Sequence, residues 1–176
     1  FTDKKCEQIL KNLGFENVSS INFKAYSPYL HRKALYKVDK EIDITFIGTF
    51  NSPFYKNRDK WLYRLAKLSD KYKVKILDGL YGEDYVNILN QSKIVFNYSE
   101  NNLINQRCFE APICNSLLFI EEDNLDIRNY FNDKEHCVYY NNDNFEELID
   151  FYLTNEEERN KITKQGYQKV QKYTYE

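Results

Sequence analysis

The chain has 176 residues, with 25 Lys and Arg against 27 Asp and Glu, and a formal net charge of -2. That length suits one domain or a large and a small lobe, and the balanced charge lacks the clustered basic face that nucleic-acid binding requires. With 42% hydrophobic residues, 5 Gly and 3 Pro, the composition is that of a folded domain.

No apolar run approaches the ~18 residues of a membrane span, so neither a span nor a secretory leader is expected. Cys6, Cys108, Cys114 and Cys137 contain no CxxC pair, and His31 and His136 are the chain's only histidines. A zinc site is therefore not expected, and reduced thiols in a cytoplasmic protein are the plain reading. The chain opens on Phe1 and contains no methionine, so an excised or processed piece is expected.

Hydrophobic periodicity alternates helices and strands along the chain. Lys4 to Leu13 reads as a helix stopped by Gly14, and Val18 to Ala25 as an extended segment broken at Ser27-Pro28. Ile42 to Ile47 is a strand ending at Gly48, followed by a helix from Asn57 to Lys71 carrying Trp61, Leu62, Leu65 and Leu68. Val74 to Leu77, Ile94 to Tyr98, Leu117 to Ile120 and Cys137 to Tyr140 supply further strands. Helices are expected at Asp84 to Leu89, Asn105 to Cys114, Phe145 to Leu153 and from Thr154 to about Lys172, with a helical turn at Ile127 to Phe131. Asp143 with Glu146, and Thr154 with Glu157, have the spacing of capping boxes. This alternation predicts an α/β fold: a Rossmann-like, mainly parallel sheet with helices on both faces.

In such sheets ligands bind beyond the carboxyl ends of the strands, which singles out three loops. The first is Gly48-Thr49-Phe50-Asn51-Ser52, with Arg58 at the start of the next helix placed to meet a phosphate; a simple turn and a solvated arginine account for it equally well. It is neither GxGxxG nor a P-loop. The second, Asp78-Gly79-Leu80-Tyr81-Gly82, could admit the flat face of a base, but an ordinary turn is the better account of it. The third runs from Ser99 through Asn102 and Asn105 to Arg107, Glu110 and Ala111. Arg107 and Glu110 share a helical face: the cation suits a phosphate and the carboxylate suits sugar hydroxyls, but an exposed i,i+3 ion pair is the simpler alternative. His31 and His136 read as structural.

Four stretches in order carry a family resemblance: Ile42 to Thr49, Tyr85 to Asn97, Asn105-Gln106-Arg107-Cys108-Phe109-Glu110-Ala111, and the tail from Phe145 through Glu157-Glu158-Arg159 and Gly166 to Tyr175. Residues 20–176 resemble the C-terminal half of a group 1 glycosyltransferase of the GT-B fold, in the branch that includes CgeB-like spore-maturation proteins. Residues 1–19 would then be a helix and connector from the interdomain region. The resemblance implies a nucleotide-sugar as substrate, no metal and no cofactor, and an acceptor held by a separate N-terminal domain. By the same resemblance Glu110 would bind the donor ribose. Gly48 and Thr49 would face the diphosphate, with Arg58 and Arg107 as its cations and Asn102 and Asn105 beside them.

This sequence departs from the family at Asn102, where the wider group carries a glutamate that contacts the transferred sugar. Asn115 stands where a glycine usually follows the helix, and Pro112 is expected to shorten or kink that helix. A non-catalytic GT-B-like structural or interaction module is therefore the alternative. A flavodoxin- or receiver-like domain is disfavoured, because no acidic pocket is apparent at the strand ends.

Overall fold

The computed structural model describes residues 4–19, 25–32, 38–50, 56–99 and 103–175. Helix α1 (Lys4–Asn12) precedes β1 (Ile42–Ile47), α2 (Lys56–Lys67), β2 (Val74–Leu77), α3 (Gly82–Gln91) and β3 (Ser92–Phe96). Then come α4 (Arg107–Ile113), β4 (Leu117–Glu121), β5 (Val138–Tyr140), α5 (Phe145–Thr154) and α6 (Glu156–Val170), with short 3-10 turns at Leu68–Asp70 and Leu125–Asn129. The five strands form one parallel sheet in the order β2-β1-β3-β4-β5. The α/β expectation therefore holds. The extended segment expected at 18–25 falls largely outside the described residues.

The strands are almost unbroken apolar runs because both sheet faces are covered. Their period of two divides the core cleanly. Ile44, Phe46, Ile94, Phe96, Phe119 and Tyr140 meet α2 and α5, whereas Ile47, Val95, Leu118, Ile120 and Tyr139 meet α3 and α4. Helix α6 contributes to both sides, through Ile162 and Val170. From β1 the chain builds outward to β2, then crosses back to β3 and on to β4 and β5. The reversal opens a crevice between the carboxyl ends of β1 and β3.

Neither capping box forms. The entry to α5 is built instead by Asn141, whose Oδ1 accepts the N–H groups of Asp143 and Asn144 at 3.0 and 3.1 Å, while Glu146 pairs with Arg64. Thr154 is the last residue of α5, so its hydroxyl bonds back to the carbonyl of Asp150 at 2.7 Å and does not cap α6. Buried Arg159 completes this corner by donating to the carbonyls of Tyr152 and Leu153 at 2.7 and 3.1 Å. Asn115 takes φ 57°, the left-handed geometry expected after α4. Pro112 lies inside α4, which is only 7 residues long.

The amino-terminal segment returns to the carboxyl end. Tyr26 bridges Thr174, and its N–H donates to the carbonyl of Tyr173 at 3.2 Å. This places Ser27 to His31 beside the crevice, although they lie far from it in sequence.

Gly166 sits inside α6 with its Cα against the backbone of His136, where a Cβ would overlap the His136 carbonyl oxygen. In an exposed helix Gly→Ala stabilises by about 0.5–1 kcal/mol. Here Gly166→Ala should destabilise by about 1–3 kcal/mol, lowering Tm by roughly 2–4 °C per kcal/mol in a thermal melt. An unchanged or raised Tm would show that α6 is not seated against the His136 backbone.

Candidate active site

All three loops singled out above converge on one cavity of about 490 Å³ at the β1/β3 reversal. Gly48 and Thr49 come from the end of β1, Asp78 to Gly82 from the end of β2, and Asn105, Arg107 and Glu110 from the start of α4. Arg58 reaches in from α2, and Leu30 and His31 from the amino-terminal segment. Six of the seven residues expected at a site thus line one space; Asn102 lies outside the described residues. The Asp78-Gly82 loop, for which an ordinary turn is the better account from sequence, forms part of the wall.

Glu110 is the buried acid of this cavity, only 8% exposed, in a helix whose residues from Cys108 to Ile113 are all buried. That disposes of the exposed i,i+3 ion pair, since Glu110 pairs elsewhere. Its Oε2 accepts the hydroxyl of Tyr85 at 2.6 Å, and its Oε1 lies 3.3 Å from Nε2 of His31. The backbone N–H of Ser27 donates to Nδ1 of His31 at 3.2 Å, so the ring proton of the neutral imidazole resides on Nε2 and faces the carboxylate. Burial pushes His31 below its ordinary range, opposed by the Glu110 charge, and pushes the Tyr85 phenol well above its own. A carboxylate has about four lone-pair sites. Tyr85 and His31 hold Glu110 from behind and leave acceptor capacity for a ligand.

Arg107 points the other way, beneath the Gly48 turn. Its Nη1 donates to Oδ1 of Asn97 at 2.9 Å, its Nη2 donates to the carbonyl of Ile47, and its guanidinium lies 4.8 Å from the Phe46 ring centre. A Cβ on Gly48 would come within 2.6 Å of Arg107 Nη2, so a side chain there would push the guanidinium away from the contacts it makes beneath the turn. Arg58 donates to the carbonyl of Thr49 at 2.8 Å and closes the other side of the turn. Asn105 donates to Asn97 Oδ1 and Ser99 Oγ at 2.9 and 3.1 Å, which fixes the approach to α4.

Sequence reasoning missed His31, Tyr85 and Asn97. The chain offered a signal for the last alone, a polar Asn97 directly after the apolar run Ile94 to Phe96. His31 and Tyr85 meet Glu110 only through tertiary structure.

Removing the phenol hydroxyl in Tyr85→Phe takes a hydrogen bond from a buried carboxylate, and should destabilise the fold by about 1.5–3 kcal/mol in chemical denaturation. His31 has a depressed folded pKa, so its contribution is fully present above pH ~6.5 and is lost as pH falls through the depressed value. His31→Gln should accordingly flatten the fall in stability below pH ~6.5. Identical slopes for His31→Gln and wild type would contradict this placement of the imidazole.

A family model described as glycosyl transferase-like matches residues 29–176. No curated protein matches the sequence. Among solved structures, the C-terminal domain of a group 1 glycosyl transferase, LpcC from Francisella tularensis, superposes with a TM-score of 0.65 at 14% identity, covering 86% of this chain and 100% of that one. Anabaena HepE, solved with UDP and glucose, gives a TM-score of 0.68 at 10% identity over 98% of this chain. TarM, present among the matches also as the S. aureus protein, gives 0.67 at 14% identity over 98% of this chain. The chain spans 58% of the HepE chain and 39% of the TarM chain. At these identities the superpositions establish the fold, that of the GT-B C-terminal domain. With the family match extending over the sheet, the crevice and both closing helices, the chain belongs to the glycosyl transferase-like family.

Proposed function

We propose that this chain is the donor-binding domain of a glycosyltransferase, holding a nucleoside-diphosphate sugar at the β1/β3 reversal for transfer to an acceptor carried by a separate domain. The observation that carries this reading is Glu110. It is a buried carboxylate, anchored from behind by Tyr85 and His31, in the same cavity as the Gly48 turn, Arg58 and Arg107. A ribose diol offers two hydroxyl donors to the remaining acceptor sites of Glu110. The guanidinium of Arg107 has five N–H groups, and its two contacts to protein leave others for a diphosphate. Thr49 and Arg58 flank the same turn, and Asn105 fixes the approach to α4.

In this reading residues 20–176 are the donor domain and residues 1–19 a connector to the acceptor domain. The cations act in place of a metal on the departing diphosphate, where charge develops as the glycosyl bond breaks. No cofactor takes part, the protein works in the cytoplasm, and its branch is the CgeB-like one. The UDP held by HepE makes UDP the first nucleotide to try. Asn102, in place of the wider group's glutamate, favours a second reading in which the domain binds nucleotide without turnover; a full-length protein that neither transfers nor hydrolyses a bound donor would bear that out.

Calorimetric titration with UDP tests the proposal. Glu110→Gln, where it folds, should weaken UDP by about tenfold to a hundredfold, the loss of a charge-assisted acceptor of ~1.5–3 kcal/mol. Arg107→Ala should weaken UDP far more than uridine, and a chelator should leave UDP affinity unchanged. Equal UDP affinity in folded Glu110→Gln would end the ribose assignment, and loss of binding in chelator would end the metal-free one.

A further inference from the structure

On the other side of the β3 end, away from the nucleotide cavity, lies a second cavity of about 500 Å³, bounded by α2 and the carboxyl ends of β4 and β5. Its floor is Glu121, only 2% exposed at the end of β4. Oε1 of Glu121 accepts the N–H of Ser99 at 3.0 Å and the amide of Asn124 at 2.9 Å, but its Oε2 has no hydrogen-bond partner among the described residues. A buried, unmatched carboxylate oxygen at the edge of a cavity is costly unless a ligand or solvent donor meets it.

The wall is Trp61, the only tryptophan of the chain. Its ring is fixed on several sides: Arg64 stacks 4.7 Å from its centre, and Tyr140 and Phe145 meet it at 4.8 and 5.2 Å. Arg64 is itself held by Glu146 at 2.8 Å and by the Asn142 carbonyl at 2.9 Å, so it is committed to the protein. The side chains of Asn57, Lys60 and Asp123 also line the space, and together with the indole N–H they make no hydrogen bond or ion pair among the described residues. The lining therefore supplies both donors (Lys60, Asn57, the indole of Trp61) and acceptors (Glu121, Asp123) beside an aromatic wall. A phosphate is a poor fit, because Glu121, Glu122 and Asp123 all face the space against the single uncommitted cation Lys60. Hydroxyl groups, each both donor and acceptor, match this pattern. Burial also pushes Glu121 up to about 7, which favours an uncharged partner.

We infer that this cavity is a carbohydrate-binding site, separate from the nucleotide cavity, which takes a neutral glycosyl unit against Trp61 with its hydroxyls on Glu121, Asp123 and Lys60. The ligand class rests on the glycosyltransferase reading; the cavity and its unmatched groups do not.

Because Trp61 is the sole tryptophan, its emission reports this cavity directly. Methyl glucoside, methyl galactoside and methyl N-acetylglucosaminide are titrated at millimolar concentration with Trp61 fluorescence as readout, and UDP is titrated separately by calorimetry. At least one glycoside should change the emission saturably, and Asp123→Ala should weaken it at least tenfold while leaving UDP affinity unchanged. Glu121→Gln should do the same where it folds. No saturable change with any glycoside, an affinity untouched by Asp123→Ala, or displacement of the glycoside by UDP would overturn the site. Glycoside binding without UDP binding would keep the site and remove the donor reading instead.

Discussion

The guanidinium of Arg107 is the joint on which the cavity at the β1/β3 reversal depends. One side chain ties the last carbonyl of β1 to the Asn97 amide just beyond β3, and rests on the Phe46 ring between them. These strand ends flank the reversal in strand order, where nothing in the sheet itself holds the loops together. The contact is close enough that a side chain at position 48 would displace the guanidinium, so the glycine and this placement of the arginine go together. Asn97 then passes the constraint to Asn105 and so to the start of α4, which aims Glu110. A planar fork with several fixed donors can do this; a lysine at the same place offers a point charge and no fork.

Glu110 shows how a buried charge is kept useful. Its burial is compensated by a phenol on one oxygen and an imidazole facing the other, supplied by α3 and by the amino-terminal segment. That segment is held in place by the Tyr26–Thr174 bridge at the far end of the chain. The site therefore depends on contacts between residues about 80 apart, such as those of His31 and Glu110, and about 150 apart in the bridge, so truncation at either end would reach it.

The fold was legible because its causes are local. Apolar runs such as Ile42 to Ile47 and Leu117 to Ile120, each bounded by turn residues, announce buried parallel strands, and Trp61, Leu62, Leu65 and Leu68 announce one face of a helix. The site was legible in part. Gly48, Arg58, Arg107 and Glu110 stand in loops that α/β topology already marks, but the partners of Glu110 depend on packing between distant segments, which no spacing encodes. The capping boxes failed for a related reason. Thr154 has the right interval from Glu157, yet a one-residue junction makes it the end of α5, and the backbone groups of that end claim its hydroxyl first.

In the proposed donor site, Glu110 receives the ribose of a nucleotide lodged at the β1/β3 reversal. A crystal structure of the chain with UDP decides whether it does. Ribose hydroxyls are expected within about 2.5–3.0 Å of the Glu110 carboxylate, with the diphosphate over Gly48 and beside Arg107. A nucleotide bound elsewhere, or one whose ribose leaves Glu110 paired only with Tyr85 and His31, would contradict it.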